Sequence, residues 1–283
     1  MKIGFIGLGR MGTPMVLNLI KKGHDLSVYD IDKKACKEGI KAGASLRSNP
    51  AELASQVNFV ISSLPGPREV ADVMTGANGV LEGIPGGSLV IETSTIGSRQ
   101  SRDLAQRFME KKVSYIDATV NRIDVNDVVK GKMTIMVGGT KEAFKRAKPI
   151  LKCLGDNIFH MGPNGAGNAV KVLNQMIYLS YMAAFSEGLA LGESLGIPLK
   201  NLLEVFSTSA AGHKMIIDRY NQMDEFIDTP GFTIDRIIKD LELANELCDE
   251  KDYEAPIFSS TLKFFRKASQ KGLGSCDATV LNR

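Results

Sequence analysis

Four polar side chains fall on one face of a predicted helix in the second half of the chain. Lys171, Asn174, Gln175 and Tyr178 recur at intervals of three and four residues, which brings them together along a helix. Their neighbours are strongly apolar, so this face is predicted to line a site, with Gln175 and Tyr178 facing a substrate. An ordinary solvated helix face is the alternative reading of the same spacing.

The chemistry that these residue types support is proton transfer. A lysine that is partly removed from water has a pKa below its usual value of about 10.4, so it can donate a proton at neutral pH and accept one in reverse. Lys171 is therefore the predicted general acid and base. Asn174, one turn further along, is predicted to orient its ammonium group or a substrate hydroxyl.

A glycine-rich turn at the start of the chain indicates that a cofactor takes part in this chemistry. Gly7, Gly9 and Gly12 have G-x-G-x-x-G spacing between an apolar run and an apolar-periodic segment, which is typical of a dinucleotide-binding strand, turn and helix. Gly7 permits the tight turn, Gly9 lets the backbone approach a pyrophosphate, and Gly12 lets the helix pack closely. The helix N-terminus then faces the phosphates. The predicted cofactor-binding residues of this turn are Gly7, Leu8, Gly9, Arg10, Met11 and Gly12.

A carboxylate at Asp30 favours NAD over NADP. Asp30 ends a second apolar segment, about 20 residues beyond the glycine turn, where a carboxylate accepts a hydrogen bond from the ribose 2′-hydroxyl. The same charge repels a 2′-phosphate, and no arginine follows at Ile31 or Asp32. The alternative is a plain strand-to-helix turn with a surface aspartate.

Composition excludes several other classes of protein. The 283 residues are 43% hydrophobic and 24% charged, with a net charge of +3 and no long basic run. This argues against a nucleic acid or a membrane as partner. The four cysteines are far apart, so neither a metal site nor a disulfide framework is predicted. Because the first strand follows Met1 directly, a cytoplasmic protein is expected.

The periodicity divides the chain into two halves. Up to about His160, short apolar runs alternate with helical patterns, which predicts a mostly parallel sheet covered by helices on both faces. From Gly167 onward the pattern is helical, beginning with one long helix after a turn-rich junction. The predicted fold is an α/β Rossmann-type nucleotide-binding domain over residues 1–163, followed by an all-α domain for substrate binding and dimerisation over residues 164–283.

Together these features predict an enzyme that transfers hydride between NAD and a carbonyl or hydroxyl group, because the alkoxide formed by hydride addition needs a proton donor such as Lys171. A nucleotide-binding scaffold without catalysis is the alternative from another class. The presence of Lys171 and Asn174 together argues against it, since a scaffold needs neither.

Several motifs occur in an order that resembles the β-hydroxyacid dehydrogenase family over nearly the whole chain. They are Gly7–Gly12, Leu64-Pro65, Ser94-Thr95-Ile96, Asp117–Gly139, Gly165–Gln175, Lys239-Asp240 and Gly272–Asp277. The resemblance implies that Lys171 is the catalytic acid and base, assisted by Asn174. It also implies that the cofactor is contacted by Leu64, Pro65, Thr95 and Lys239, with Thr95 close to the substrate as well. Homodimers or homotetramers built on the helical domain are implied too.

One segment departs from the family pattern. Where most members read Asp-Ala-Pro-Val-Ser-Gly-Gly, with amides that hold a substrate carboxylate, this chain reads Asp-Ala-Thr-Val-Asn-Arg-Ile over residues 117–123. The change places Asn121 and a permanent cation, Arg122, where an anion is bound, and the forked guanidinium suits an oxyanion. Arg122 and the Ala210-Ala211-Gly212 stretch resemble the sulfolactaldehyde-reducing branch of the family.

The predicted substrate is thus a small anion, with a sulfonate as the leading choice. A carboxylate remains the alternative, because arginine pairs with both. The alternative without a functional role is that Arg122 points to solvent in a loop whose sequence has changed without consequence. His213 and Lys214 could add positive potential or could simply lie on the surface, and the sequence leaves their role open.

Overall fold

The computed structural model describes residues 1–122 and 126–282, and within them the chain forms two compact units, Met1–Lys171 and Val172–Arg283. The strands, all in the first unit, are β1 (Lys2–Ile6), β2 (Asp25–Tyr29), β3 (Ser45–Leu46), β4 (Phe59–Ser62), β5 (Leu89–Glu92), β6 (Ser114–Asn121), β7 (Thr134–Gly138) and β8 (Asn157–Gly162).

The α-helices of the first unit are α1 (Gly12–Lys21), α2 (Lys37–Lys41), α3 (Pro50–Ser55), α4 (Pro67–Thr75), α5 (Val80–Gly83), α6 (Ser98–Glu110), α7 (Asp127–Lys130) and α8 (Lys141–Leu151). A long helix, α9 (Ala166–Ser194), begins in the first unit and continues into the second. The remaining helices are α10 (Leu199–Ser207), α11 (Lys214–Asn221), α12 (Ile234–Glu250) and α13 (Pro256–Ala268), with short 3-10 or π turns at Met223–Phe226, Ser269–Leu273 and Ala278–Asn282. The predicted Rossmann-type domain and the following all-α domain are confirmed.

The sheet has the strand order β3-β2-β1-β4-β5-β6-β7-β8. Its first six strands run parallel in the order of a dinucleotide-binding sheet, as the sequence predicts. β7 pairs with β6 in the antiparallel sense instead. The described part of the β6–β7 connection holds only the four-residue helix α7, whereas a parallel crossover usually contains a longer helix packed on the sheet.

The two faces of the sheet carry separate cores, because successive side chains of a strand point to opposite faces. Ile61 on β4 and Ile91 on β5 belong to one core, with residues of α1 and α8, while Val60 and Val90 belong to the other, with residues of α3, α4 and α6. Helices therefore cover both faces, as predicted, and the carboxyl ends of the strands are left for a site.

The second unit has a helical core of its own and a buried ion pair. The core is formed mainly by apolar residues of α9, α11, α12 and α13. Arg219 on α11 donates to the buried Asp277, which also accepts hydrogen bonds from the amides of Gly231 and Phe232 at 2.8 and 3.0 Å. Removing one partner of such a pair leaves an uncompensated buried charge, so this contact ties the closing segment of the chain to the unit.

Candidate active site

The glycine turn has the geometry that a bound dinucleotide requires. Gly7 follows β1 with a φ of 92°, which disfavours other residues. A Cβ atom at Gly12 would lie 1.8 Å from the carbonyl oxygen of Gly7, so only glycine lets α1 start this close to the turn. A Cβ atom at Gly9 would meet nothing within 4 Å. Free space therefore adjoins the backbone at the one glycine that is predicted to approach the pyrophosphate. Arg10 is exposed and Met11 is half-buried in the same turn.

The Asp30 carboxylate is held in a fixed orientation. Its Oδ2 accepts from the amide of Leu8 at 2.7 Å, and its Oδ1 accepts from the amide of Asp32 at 2.9 Å. Each carboxylate oxygen has a second lone pair for a further donor. The group is thus an oriented acceptor attached directly to the glycine turn, and these residues fit the ribose and pyrophosphate of a dinucleotide.

We expect this arrangement to give a wide preference for NADH over NADPH in the unmutated protein, because a 2′-phosphate would face an oriented negative charge. Asp30→Ala should narrow the ratio of the two dissociation constants, measured by fluorescence titration of both cofactors. Asp25→Ala, at the exposed opposite end of β2, is the control. Comparable affinities for NADPH and NADH before mutation would contradict the role of Asp30.

Leu64 and Thr95 lie at the carboxyl edge of the sheet, in the loops that follow two neighbouring strands. β4 and β5 are paired in register, with Ser62 opposite Glu92. The amide of Leu64 donates to Oγ of Ser94 at 2.7 Å, which connects the two loops directly. Leu64 and Thr95 are half-buried and Pro65 is exposed. The structure thus places these three predicted cofactor contacts on adjacent loops of one edge.

The start of α9 is fixed to the sheet by Asp117 on β6. The buried Asp117 carboxylate accepts from the amide of Gly165 at 2.7 Å and from that of Asn168 at 2.8 Å. The first amides of a helix have no partner within it, so this carboxylate caps α9. Burial raises the pKa of Asp117, while the backbone donors oppose that rise.

Two further contacts fix the rotation of α9. The side chain of Asn168 accepts from the amide of Ile96 at 2.8 Å and donates to Oγ of Ser101 at 2.9 Å. The hydroxyl of Thr119 donates to the carbonyl of Gly167 at 2.9 Å. Hydrogen bonds of Asp117, Thr119 and Asn168 therefore fix the first turn of α9, and this orients the side chains of the next turn.

Lys171 lies on that next turn, and its Nζ donates a hydrogen bond to Oδ1 of Asn121. Asn121 is the last residue of β6, four residues beyond the buried Asp117. The structure therefore brings together two predicted site residues that are far apart in the sequence. Arg122 follows Asn121 immediately and is half-buried, whereas Ile123 of the same segment lies outside the described residues.

The predicted residues of the second unit form a separate polar group. Nε2 of Gln175 donates to Oδ2 of Asp240 at 2.8 Å, and Nζ of Lys239 is paired with Oδ1 of the same carboxylate at 2.8 Å. Asn174 is exposed and donates to Oε1 of Gln175 at 3.3 Å. Gln175 is itself buried, so its contact with Asp240 holds Lys239 indirectly.

Tyr178 is half-buried beside the exposed His213, with ring centroids 6.3 Å apart. Lys214 forms an ion pair with Asp218 one turn along α11. His213 therefore adjoins a predicted substrate residue, while Lys214 has a local partner on its own helix.

Three buried carboxylates that accept hydrogen bonds or form ion pairs within their own units were not predicted from the sequence as functional residues. They are Glu92, Asp117 and Asp240. A signal for the first two exists, because each lies near the carboxyl end of a strand in a parallel sheet, the edge at which such folds bind ligands. Among residues 1–122 and 126–282, no cluster of His, Cys, Asp or Glu could hold a metal ion. No helix in this part of the chain is both long and apolar enough to cross a membrane.

Comparisons with known proteins agree with this geometry. Residues 2–162 match the family described as the NAD binding domain of 6-phosphogluconate dehydrogenase, and residues 165–283 match that described as the NAD-binding of NADP-dependent 3-hydroxyisobutyrate dehydrogenase. The fold and the site define an NAD-dependent oxidoreductase that acts on CH–OH groups. The chain belongs to the β-hydroxyacid dehydrogenase family.

Individual relatives match over almost the full chain. The 3-sulfolactaldehyde reductase of Escherichia coli is 33% identical over 99% of this chain and 94% of its own length. The mitochondrial 3-hydroxyisobutyrate dehydrogenase of Homo sapiens is 34% identical over 97% of this chain and 84% of its own length. The crystal structure of a 3-hydroxyisobutyrate dehydrogenase from Salmonella typhimurium superimposes with a TM-score of 0.91 at 27% identity, covering 99% of this chain and 98% of that one.

Proposed function

We propose that this protein interconverts a short anionic aldehyde and the corresponding alcohol, with 3-sulfolactaldehyde and 2,3-dihydroxypropane-1-sulfonate as the leading pair. The observation that carries the proposal is the contact between Lys171 and Asn121, next to Arg122 at the end of β6. The proposed proton donor thus contacts the last residue of β6, and the proposed anion-binding cation is the next residue along the chain.

Each residue has a separate task in this reaction. Bound NAD(H) supplies or accepts the hydride, while Lys171 gives a proton to the developing alkoxide, or removes one from the alcohol in the reverse direction. Asn121 accepts a hydrogen bond from the ammonium group and holds it in place. Asn174 is assigned to orienting the substrate hydroxyl, and Gln175, Tyr178 and Thr95 to lining the substrate. Lys239, held by Asp240, is assigned to the nicotinamide end.

Arg122 supports the choice of a sulfonate. Its guanidinium presents a planar set of donors that pairs with two oxygens of an oxyanion at once. A carboxylate binds by the same contacts, so a 3-hydroxyisobutyrate dehydrogenase or a tartronate semialdehyde reductase is the alternative. The relatives include both a sulfolactaldehyde reductase and 3-hydroxyisobutyrate dehydrogenases at similar identity, which leaves that alternative equally supported.

A panel of substrates tests the proposal. NADH oxidation would be followed with 3-sulfolactaldehyde, tartronate semialdehyde and methylmalonate semialdehyde, and we expect the highest kcat/KM for the sulfonate. A higher value for a carboxylate would transfer the assignment to the alternative. Binding of NADH without turnover of any aldehyde would favour a nucleotide-binding scaffold.

We also propose that the protein assembles as a homodimer or homotetramer through α9. Leu173, Ile177 and Leu191 are exposed at helical spacing on one side of this helix, and the exposed Leu195 follows directly after its end. Gly188, where a Cβ atom would meet nothing within 4 Å, lies between Ile177 and Leu191 in the sequence. Exposed apolar side chains on one side of a helix are typical of a self-complementary interface.

Leu191→Glu should weaken such an association by at least about tenfold, because a carboxylate buried in an apolar interface lacks a partner. Light scattering over a concentration series measures the effect. Met109→Glu, an equally exposed apolar residue on α6, is the control and should leave the assembly unchanged. A monomeric parent protein, or an unchanged Leu191→Glu assembly, would contradict the proposed interface.

A further inference from the structure

Glu92 is a buried acid that the proposed chemistry does not use. It is the last residue of β5, it is 0% exposed, and it lies in register with Ser62 on β4 and Asp117 on β6. A carboxylate is rarely buried this completely unless its oxygens are well partnered. Its position at the carboxyl edge of the sheet places it directly beneath the two loops that carry the predicted cofactor contacts.

One of its oxygens binds the end of β4 and the other binds the loop that follows β5. Oε2 accepts from the hydroxyl of Ser62 at 2.6 Å, and Oε1 accepts from the amide of Ser94 at 2.7 Å. Oγ of Ser94 in turn accepts from the amide of Leu64 at 2.7 Å. A continuous series of hydrogen bonds therefore runs from Glu92 through Ser94 to Leu64.

A second connection closes this network. The hydroxyl of Thr93 donates to the carbonyl of Ser62 at 2.6 Å. The amide of Thr93 donates to the same carbonyl at 2.9 Å, so three hydrogen bonds join Ser62 and Leu64 to Thr93 and Ser94, and Glu92 contacts both Ser62 and Ser94. Thr95 follows Ser94 directly, so the hydrogen bonds of Glu92 help to fix the positions of both Leu64 and Thr95.

We propose that Glu92 is a positioning residue for NAD binding, which fixes Leu64 and Thr95 through its hydrogen bond to Ser94. This role rests on the cofactor contacts proposed for Leu64 and Thr95. It concerns the binding of the nucleotide and is independent of which aldehyde is the substrate. Glu92 acts through Ser94 and needs no contact of its own with the cofactor.

The electrostatics of the site make a neutral side chain acceptable at this position. Burial raises the pKa of Glu92 to about 7, although the hydrogen bonds from Ser62 and Ser94 lower it. The titratable groups that face it are Asp117, whose charge adds to the rise, and Tyr115, whose own pKa is raised well above 10 by burial. Both lie on β6, and β4 contributes the hydroxyl of Ser62. Near neutral pH the acid form is therefore well populated.

Protonation preserves the contact that matters for positioning. The amide of Ser94 can only donate, so it needs an acceptor oxygen, whereas the hydroxyl of Ser62 can rotate and accept instead. A glutamine reproduces this arrangement, with its oxygen towards Ser94 and its NH₂ group towards Ser62. A leucine fills similar space but offers no acceptor and leaves the Ser94 amide unpaired.

The experiment compares these two substitutions by fluorescence titration with NADH. Glu92→Gln should bind NADH within about threefold of the parent, whereas Glu92→Leu should bind at least about tenfold more weakly, the effect of one displaced hydrogen bond. Glu82→Gln, an exposed glutamate of the same unit, is the control and should leave the affinity unchanged. Circular dichroism and thermal melts verify that each variant is folded.

Two further variants identify the route of the effect. Ser94→Ala removes the acceptor of the Leu64 amide, so it should weaken NADH binding. The double variant Glu92→Leu/Ser94→Ala should bind NADH no more weakly than whichever single variant has the lower affinity. Additive losses, or a folded Glu92→Leu protein that binds NADH normally, would overturn the proposal. Leu64→Ala with unchanged NADH affinity would instead show that the proposed Leu64 contact is wrong.

The pH dependence of the Tm gives a second readout, which a purely steric role of the Glu92 side chain would not change. Because the folded protein holds the Glu92 proton more tightly than the unfolded chain, this group's stabilising contribution is lost as the pH rises from about 4.5 to about 7. The Tm of Glu92→Gln relative to the parent should therefore increase between pH 5 and pH 8. If Glu82→Gln, at an exposed carboxylate of the same unit, shifts the Tm in the same way, Glu92 is not the responsible group.

Discussion

Lys171→Ala is expected to lower kcat by about 10²–10⁴-fold, the usual contribution of a positioned general acid, while the dissociation constant for NADH stays close to that of the parent. The side chain is held beside Asn121 at the end of β6, and the glycine turn that is predicted to bind the nucleotide is formed by other residues. Steady-state kinetics with the best aldehyde of the panel, together with NADH titration, measures both quantities.

Two companion variants make this result specific. Lys171→Arg keeps the positive charge but should also fail, because a guanidinium holds its proton too tightly to donate it. Lys263→Ala removes an exposed lysine from another helix and should leave kcat unchanged. A Lys171→Ala enzyme with most of its turnover would mean that the proton comes from a different group.

Arg122→Ala is expected to reduce kcat/KM for the anionic substrate by roughly 10- to 150-fold, which corresponds to the loss of a charge-assisted contact of about 1.5–3 kcal/mol. An uncharged aldehyde of similar size lacks the group that Arg122 is proposed to bind, so its slow reduction should hardly change. Parallel kinetics with both types of substrate separate a binding residue from a structural one.

The controls for Arg122 follow from its charge and shape. Arg122→Lys retains the charge without the planar fork and should recover only part of the loss. Arg99→Ala, an exposed arginine on α6, should have no effect. Equal losses for charged and uncharged substrates would mean that the segment had been disrupted, and the sulfonate assignment would then be withdrawn while the dehydrogenase remained.

The parts of the fold that depend on residues close together in the sequence could be predicted from it. Gly7, Gly9 and Gly12 lie within one turn, and Asp30 follows the next strand, so their spacing alone specifies the geometry of the nucleotide site. The parallel sheet and the long helix α9 are also local patterns, and both are confirmed.

Other features depend on which strands become neighbours, and the sequence does not contain that information directly. β7 pairs with β6 in the antiparallel sense, but its apolar pattern resembles that of any buried strand and does not indicate a direction. The contact of Lys171 with Asn121 requires β6 to extend past Asp117, where the apolar pattern ends. The contact of Glu92 with Ser62 joins two strands that are thirty residues apart, and nothing in the sequence shows that they are neighbours.

The capping of α9 by Asp117 determines where this protein can be divided. A fragment cut at Pro163 would lose the amides of Gly165 and Asn168, and would leave a buried carboxylate without its donors. An excised nucleotide-binding module therefore has to carry the first turn of α9, and the compact unit itself extends as far as Lys171. The proposed proton donor thus belongs to the same inheritable piece as the proposed cofactor site, and exchanging the rest of the helical domain between relatives should change residues proposed to line the substrate while retaining Lys171.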